Sequence, residues 1–199
     1  MLLTHDGKSP TIGDGTRIAP NAVVCGAIRI GRNCSIGFGA VLTAESGPIT
    51  IGDNCVIMEN AVVRGLARNP VTVGDNVLIG PHSYLTGCTI ASNVFIATGA
   101  TIFNGAYVGE RAEVRINSVV HLRTLLPADA VVPIAWVAVG DPARILPPDA
   151  HEQIWDVQKE LNFPSYVFGV ERPPPGDTFM PQVMPRYARS LYRRHETDR

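Results

Sequence analysis

The 199-residue sequence lacks the features that direct proteins to membranes or to nucleic acid. Its longest apolar run, Val131 to Gly140, contains Pro133 and is too short for a bilayer, which needs about 20 residues. The first residues include polar and charged side chains, so we expect no signal peptide. The net charge of −1 offers no basic surface for nucleic acid. We therefore expect a cytoplasmic protein without membrane or nucleic-acid partners.

A six-residue repeat dominates what the sequence does contain. Ile, Val or Leu recurs every six residues, and a small residue usually follows four positions later. The aliphatic positions fall into three sets, of which the first is Ile12, Ile30, Ile51, Val73, Ile90 and Val108, the second is Ile18, Ile36, Ile57, Ile79, Ile96 and Val114, and the third is Val24, Leu42, Val63, Leu85, Ile102 and Val120. Six residues suit one short strand and one corner, and such units bury their apolar faces only by stacking. The repeat predicts an all-β solenoid with three faces.

The residues between the aliphatic positions fit this solenoid. Asn33, Asn60 and Asn93 fall at predicted corners, where asparagine tolerates left-handed backbone. The four cysteines show no C-x-x-C spacing, and Cys34 and Cys55 occupy small inward positions. We therefore expect buried free thiols rather than disulfides or a zinc motif.

Two insertions interrupt the repeat on one side. Both Thr43–Thr50 and Arg64–Thr72 follow third-set positions. One corner of the predicted prism therefore carries both loops. Loops gathered on one face of a repeat protein often mark its binding side.

The C-terminal part of the sequence changes character. The solenoid is predicted over 1–146, with Pro127–Leu146 as an irregular final coil because the repeat fades after Val120. A helix is predicted within 147–163, with Asp149 as its cap. The helix would carry an apolar stripe of Ile154, Val157 and Leu161.

Residues 164–199 are rich in proline and end in a basic run containing Arg186, Arg189, Arg193, Arg194 and Arg199. This composition favours an extended or partly disordered tail. The alternative is an arm that wraps a neighbouring subunit. Its anchors would be Phe168, Phe179, Tyr187 and Tyr192.

Five strings within residues 18–146 resemble the γ-class carbonic anhydrases and their hexapeptide-repeat transferase relatives. They are GAVLTAE, IGDNCVIMENAVVRG, VTVGDNVLIGPHSYLTGCTI, IATGATIFNGAYVG and VGDPARIL. The resemblance implies a left-handed parallel β-helix and a homotrimer. It also implies zinc held by three histidines in a cleft between subunits.

The zinc ligands that the resemblance implies are replaced in this chain. Arg64 stands at the end of the string that matches DNAVLH, and Pro81 and Thr86 replace the histidines of GHxAxLHGC. An arginine carries a fixed charge that repels a metal ion. We therefore expect no zinc. Among the other cleft positions, the family's arginine and aspartate are replaced by Thr43 and Glu45, and Asn104 is retained.

The residues expected near the altered site supply the candidates for chemistry. Arg64 would bind a carboxylate or phosphate, with Thr86, Thr43, Asn104 and His121 as further substrate-binding positions. His82, Glu45 and Glu59 are the candidates for acid or base catalysis. Three of these residues, Arg64, His82 and Glu45, have a structural alternative. Arg64 would form an ion pair with Glu59 or Glu45, His82 would be a corner residue, and Glu45 would be a solvated loop charge.

Three functions follow from these expectations. The first is a metal-independent enzyme of the acyltransferase type, in which acyl-CoA or an acyl-carrier thioester is the donor and His82 or His121 is the base. The second is a non-catalytic trimeric scaffold or binding subunit. The third is a carbonic anhydrase whose metal ligands have moved to His82 and His121.

Overall fold

The computed structural model describes residues 1–196, so that Arg199 of the predicted tail lies outside the described part. Twenty-three short strands form within it. In chain order they are β1 (Leu2–Leu3), β2 (Thr11–Ile12), β3 (Arg17–Ile18), β4 (Val23–Cys25), β5 (Ile28–Ile30), β6 (Ser35–Ile36), β7 (Val41–Thr43), β8 (Ile49–Ile51), β9 (Val56–Ile57), β10 (Val62–Arg64), β11 (Val71–Val73), β12 (Leu78–Ile79), β13 (Tyr84–Thr86), β14 (Thr89–Ile90), β15 (Phe95–Ile96), β16 (Thr101–Ile102), β17 (Tyr107–Val108), β18 (Glu113–Val114), β19 (Val119–Val120), β20 (Leu125–Leu126), β21 (Val131–Val132), β22 (Val137–Val139) and β23 (Arg144–Leu146).

Three sheets form the faces of the solenoid, and their membership confirms the three predicted sets. The first-set strands follow one another as β2-β5-β8-β11-β14-β17-β20, and the second-set strands run from β3 to β21 in the same way. The third-set strands form a nine-stranded sheet from β1 to β23. Val63 pairs in parallel with Leu42 on one side and Leu85 on the other. Every third strand therefore stacks on its predecessor, as the repeat predicts.

The aliphatic positions of the repeat form the core. Ile57, Leu85 and Ile102 are completely buried, and the small inward positions Ala61 and Cys55 are buried with them. Burying one such Ile or Leu side chain stabilises the fold by about 1.5–3 kcal/mol. All four cysteines are buried and free, which confirms the expectation of thiols rather than disulfides.

Corner residues adopt the left-handed conformation that the sequence indicated. Asn33, Asn60 and Asn93 have φ angles of 55°, 57° and 63°. His82 occupies the equivalent corner with a φ of 57°. A side chain at such a corner is held by the backbone turn, which limits where it can point.

The final coils are more regular than predicted. Val131 pairs in parallel with Glu113, and Val137 pairs in parallel with Val119, so the repeat does not fade after Val120. The expectation of an irregular coil over Pro127–Leu146 is wrong, because its prolines lie at corners that need no ladder hydrogen bond. The antiparallel strand β23 then closes the edge of β22.

Helix α1 (His151–Gln158) confirms the predicted C-terminal helix, and a 3₁₀ turn at Lys159–Leu161 extends it. The residue at its N-cap is Ala150, without a side-chain hydrogen bond, so the expected Asp149 cap is wrong. The helix packs on β22, where the Val157 side chain approaches the Cα of Gly140. No helix among residues 1–196 is long and apolar enough to cross a membrane.

The segment predicted as an extended tail is largely helical. It contains α2 (Phe163–Phe168) and α3 (Met180–His195). Pro164 and Pro181 lie in the first turn of these helices, where no intrahelical N–H is required, whereas Pro185 lies inside α3. Proline content was therefore a misleading signal. Phe168 joins the two helices, since its ring centroid lies 5.8 Å from that of Phe179 and 6.3 Å from that of Tyr187. The predicted anchors Phe168, Phe179 and Tyr187 thus pack within their own chain.

Candidate functional site

A cavity of about 620 Å³ lies where α2 and α3 cover one corner of the solenoid. Its walls come from both insertion loops, from the corner that follows the third sheet, and from the two helices. The lining residues are Glu45, Ser46, Arg64, Leu66, Ala67, Arg68, Asn69, Tyr84, Thr86, Phe103, Asn104, Leu122, Phe163, Tyr166, Val167, Phe168, Gly169, Val183, Arg186, Tyr187, Ser190 and Arg194. Its volume is within the range of about 300–1,000 Å³ that small-molecule sites occupy.

A buried carboxylate with two arginine partners stands in one wall. The carboxylate of Glu45 is only 6% exposed and forms ion pairs with Arg64 and Arg194. The Nε of Arg64 donates to Oε2 of Glu45, and Nη1 of Arg194 lies 3.4 Å from Oε1. The Nη2 of Arg64 also donates to the hydroxyl of Tyr187 at 2.7 Å. We call these four residues the Glu45 cluster, and they join the first insertion loop, β10 and α3.

The cluster holds Arg64 in its charged form. Burial alone would lower the pKa of the Arg64 guanidinium, but its hydrogen bonds with Tyr187 and Glu45 raise that pKa above the ordinary value.

Two arginines of the cavity are free of such pairing. No carboxylate in residues 1–196 forms an ion pair with Arg68 or Arg186, and both side chains are exposed. The cavity therefore carries more guanidinium groups than carboxylates.

The insertion loops are fixed against each other and against α2. The backbone N–H of Ala67 donates to Oγ of Ser46 at 3.1 Å, and the hydroxyl of Tyr166 donates to Oδ1 of Asn69 at 3.1 Å. Gly87 lets the second loop approach β13, because a Cβ there would lie 2.6 Å from Cβ of Asn69. The φ of Gly87 is also positive, at 52°. The loops therefore form one wall of the cavity and are held to each other and to α2 by these hydrogen bonds.

Four of the predicted site residues line the cavity. They are Arg64, Glu45, Thr86 and Asn104. Thr86 and Asn104 are buried. Arg64 pairs with Glu45, one of the two partners named in its structural alternative, while Glu59 is not a partner of Arg64 in the described chain. Glu45 is a buried ion-pair partner rather than a solvated loop charge.

Two more predicted residues belong to the same column without reaching the cavity wall. Thr43 pairs with Arg64 in the third sheet, as the repeat register predicts. His121 lies further along that column, with its ring centroid 6.1 Å from that of Phe103. Its Nδ1 is buried without a hydrogen-bond partner in the part of the chain that the structure describes. Burial lowers the pKa of the His121 imidazole, which favours the neutral form.

The remaining predicted residues, His82 and Glu59, lie on a different corner. Both are exposed and stand between the second and third sheets, where the backbone N–H of His82 donates to the carbonyl of Glu59 at 3.0 Å. Neither lines the cavity formed by the described residues of this chain.

Sequence reasoning missed the contribution of α3 to this site. Val183, Arg186, Tyr187, Ser190 and Arg194 line the cavity from one helix. Their spacing of three or four residues is that of one helical face, and this signal was available in the sequence. The proline-rich composition around them concealed it.

The residues at the family's metal positions do not fit zinc. Arg64, Pro81 and Thr86 offer none of the imidazole, thiolate or carboxylate groups that zinc prefers. Within residues 1–196, no group of three or more His, Cys, Asp or Glu side chains is arranged to hold a metal ion. The cavity instead places a permanent cation at the first of those positions.

Comparison with known proteins assigns the chain to a family. Residues 9–44 and 70–104 match the bacterial transferase hexapeptide family (six repeats), and residues 27–65 match the hexapeptide repeat of succinyl-transferase. A hexapeptide transferase family protein from Anaplasma phagocytophilum has a crystal structure that is 30% identical to the chain and has a TM-score of 0.54. The similarity covers 80% of this chain and 90% of that one. The chain belongs to the hexapeptide transferase family.

This hexapeptide transferase family member is also similar to named enzymes. It is 33% identical over 159 residues to γ carbonic anhydrase 1, mitochondrial, of Arabidopsis thaliana, covering 77% of the chain and 56% of that relative. It covers 55% of γ carbonic anhydrase 2, so it spans little more than half the length of these curated relatives. Because they are named as mitochondrial, the cytoplasmic location stays a prediction for this chain.

A solved acetyltransferase shares the fold. The structure of a mutant perosamine N-acetyltransferase from Caulobacter crescentus, in complex with CoA and GDP-perosamine, is 28% identical and has a TM-score of 0.51. The similarity covers 65% of this chain and 55% of that chain. The γ-carbonic-anhydrase-like sequence thus lies on a fold that also carries acetyl transfer.

Proposed function

We propose that this hexapeptide transferase family member is a metal-independent enzyme that binds an anionic small molecule in the cavity beneath α2 and α3. One observation carries the proposal, namely the excess of guanidinium groups over carboxylates in the cavity. Arg68, Arg186 and Arg194 face it together with Arg64, whereas Glu45 is its one carboxylate among the described residues and is already paired. Guanidinium groups bind carboxylates and phosphates through paired hydrogen bonds.

Acyl transfer is the reaction class that we propose. Its support is the solved acetyltransferase neighbour with bound CoA and the match to a succinyl-transferase repeat. A hydroxyl or amine of the acceptor would attack the carbonyl of an acyl-CoA or acyl-carrier thioester. The new C–O or C–N bond forms while the C–S bond breaks, and the acceptor's proton ends on the released thiol. No firm cofactor is assigned beyond this thioester donor, and zinc is not part of the proposal.

The alternative is a non-catalytic scaffold or binding subunit, and one observation favours it. No histidine lines the cavity of the described chain, because His82 is at another corner and His121 lies outside the wall. An acyltransferase of this kind needs a base, so the enzyme proposal requires a second subunit to bring His82 to the site. A protein that only binds its anionic ligand needs no such group.

We also propose the homotrimer that the family resemblance implies. The supporting observation is a set of exposed apolar side chains on the second sheet and on the corner that follows it. Ile116 and Ile134 stand at equivalent corner positions of neighbouring coils and are 43% and 58% exposed. Phe38, at 51% exposure, stands further along the same corner, and Phe95 and Val131 are exposed on the second sheet. Apolar patches of this kind mark protein interfaces, and the same corner carries His82 and Glu59.

The experiment that tests the function combines metal analysis with a donor screen. Protein purified without chelator or immobilised nickel is analysed for metal by mass spectrometry, and thiol release from short acyl-CoA donors is followed with candidate acceptors. We expect no stoichiometric metal, and thiol release that falls at least about tenfold in the His82→Ala variant. Stoichiometric zinc together with CO₂ hydration activity would instead favour a carbonic anhydrase with relocated metal ligands. Anion binding without any thiol release would favour the binding subunit instead.

A relocated metal site has its own control. The carbonic anhydrase alternative places ligands at His82 and His121, so a His82→Ala, His121→Ala double variant should lose any bound zinc. A variant of exposed His151 on α1 leaves that site intact and controls for adventitious binding to surface histidines.

A further inference from the structure

We infer that the cavity ligand is a carboxylate that carries an apolar ring, rather than a small inorganic anion such as bicarbonate or phosphate. This inference rests on the proposed anion-binding function and adds the class of ligand. Its basis is the composition of the cavity wall, which combines aromatic and aliphatic side chains with guanidinium groups that have no carboxylate partner in residues 1–196.

The apolar part of the wall is extensive. Phe103 and Leu122 come from the solenoid, while Phe163, Val167 and Phe168 come from α2. The rings of Phe163 and Phe168 meet edge to face with centroids 5.8 Å apart. Aromatic side chains favour such edge contacts and accept a further ring in the same way. A hydrated four-atom anion would leave this wall facing water, whereas a ring would cover it.

The charged part of the wall contains guanidinium groups that remain available to bind an anion. Arg64 and Arg194 already share the carboxylate of Glu45. Arg186 uses its Nε to donate to the carbonyl of Gln182 at 3.0 Å, which leaves its two terminal amino groups without a partner in the described chain. Arg68 is exposed on the second insertion loop and forms no ion pair among residues 1–196. A carboxylate accepts from such groups in pairs.

The size of the cavity agrees with this ligand. About 620 Å³ is far more than a bicarbonate fills, because each water-sized unit takes about 30 Å³ in the liquid. Small-molecule sites of this volume are mostly apolar with a few polar groups that fix orientation. The guanidinium groups of Arg68 and Arg186, which line the cavity without an ion-pair partner in residues 1–196, provide such polar groups.

The test is calorimetric titration of the full chain with a matched set of probes. The set comprises 3-phenylpropanoate, its neutral amide 3-phenylpropanamide, propanoate and bicarbonate, in a buffer free of phosphate and carboxylates. We expect 3-phenylpropanoate to bind at least about tenfold more tightly than propanoate, because only its ring covers the aromatic wall. We expect 3-phenylpropanoate to bind about tenfold more tightly than 3-phenylpropanamide, because the neutral amide cannot form the charged hydrogen bonds to arginine. Binding of the acid should weaken with added salt.

Matched variants locate the binding. The Arg186→Gln and Arg68→Gln variants should each bind 3-phenylpropanoate about tenfold more weakly, while Arg189→Gln should leave its Kd unchanged. Arg189 is exposed on the same helix as Arg186 and does not line the cavity. All three side chains are exposed, so circular dichroism should report the same fold for each variant.

The possible results separate this inference from the proposed function. Equal binding of propanoate or bicarbonate overturns the inference of an apolar ring and leaves anion binding intact. Equal binding of the amide shows that the ligand need not be a carboxylate and overturns that part of the inference. If 3-phenylpropanoate shows no binding at about 5 mM, which excludes a Kd in the low millimolar range, the whole inference is overturned. The proposed function then stands or falls on its own donor screen and on whether acyl-CoA binds.

Discussion

The Glu45 cluster gives the sharpest stability prediction, which is that Glu45→Gln destabilises the protein far more than an exposed change of the same kind. The substitution preserves the shape of the side chain and removes the charge that pairs with Arg64 and Arg194. Arg64 is only 24% exposed, so its guanidinium would remain largely buried without a counter-charge. Its hydrogen bond to Tyr187 would remain, since Tyr187 is not changed.

The magnitude follows from the burial of the two partners. Removing one partner of a fully buried ion pair costs about 3–5 kcal/mol, whereas an exposed pair contributes about 0–1 kcal/mol. Because the carboxylate is 6% exposed and the guanidinium 24% exposed, the expected loss lies between these limits, at about 2–3 kcal/mol. For a chain of this size, each lost kcal/mol lowers Tm by about 2–4 °C. A fall in Tm of roughly 5–10 °C is therefore expected.

Urea unfolding followed by circular dichroism measures this loss, at one fixed protein concentration because assembly would raise the apparent stability. The matched control is Glu110→Gln, which removes the charge of a pair whose two side chains are 53% and 48% exposed. The control should lose less than about 1 kcal/mol. A double variant that adds Arg64→Met should recover part of the Glu45→Gln loss, since both buried charges are then removed. Equal losses for Glu45→Gln and Glu110→Gln would refute the reasoning.

Three further changes have defined outcomes. Tyr187→Phe removes an acceptor of Arg64, so we expect a loss of about 1 kcal/mol and faster trypsin cleavage within α3, with Tyr192→Phe as the exposed control. The His82→Asn variant should keep full stability, because asparagine suits a φ of 57°, whereas His82→Val should lose about 1–2 kcal/mol of stability in thermal unfolding. Equal stability of the two variants would contradict the assignment of His82 to a left-handed corner. Burial raises the pKa of the Cys88 thiol to about 12, so little of the reactive thiolate is present at pH 8. Cys88 in the native protein should therefore resist iodoacetamide at that pH. Rapid labelling of the native protein would show that the core around Cys88 opens to solvent.

The sequence was sufficient to predict the solenoid because its determinants are local and repeated. Each aliphatic position, such as Ile57, predicts its own burial, and the six-residue spacing predicts its neighbours in the stack. The register of Thr43 against Arg64, and of Arg64 against Thr86, follows from the same spacing. The final coils were missed because prolines hid a repeat that the buried residues Leu126, Val132 and Ala138 continue.

The site was only partly predictable. Arg64, Glu45, Thr86 and Asn104 could be placed near one another because they belong to neighbouring coils and to the loops between them. The partners from α3 could not be placed in this way, since Tyr187 and Arg194 meet Arg64 and Glu45 through a contact that no repeat specifies. His82 was named from its neighbourhood in sequence, yet the corner conformation turns it away from the cavity of its own chain.

The contact between Glu45 and Arg194 joins positions 149 residues apart, and this separation has a consequence for biosynthesis. A ribosome completes the coils that hold Glu45 and Arg64 long before α3 emerges, and domains form progressively as the chain is made. The nascent protein therefore presents these two charges on an open wall while most of the solenoid is still being added. Because α3 follows the solenoid in the chain, the wall that it contributes can be added to the cavity only after all the coils have been made.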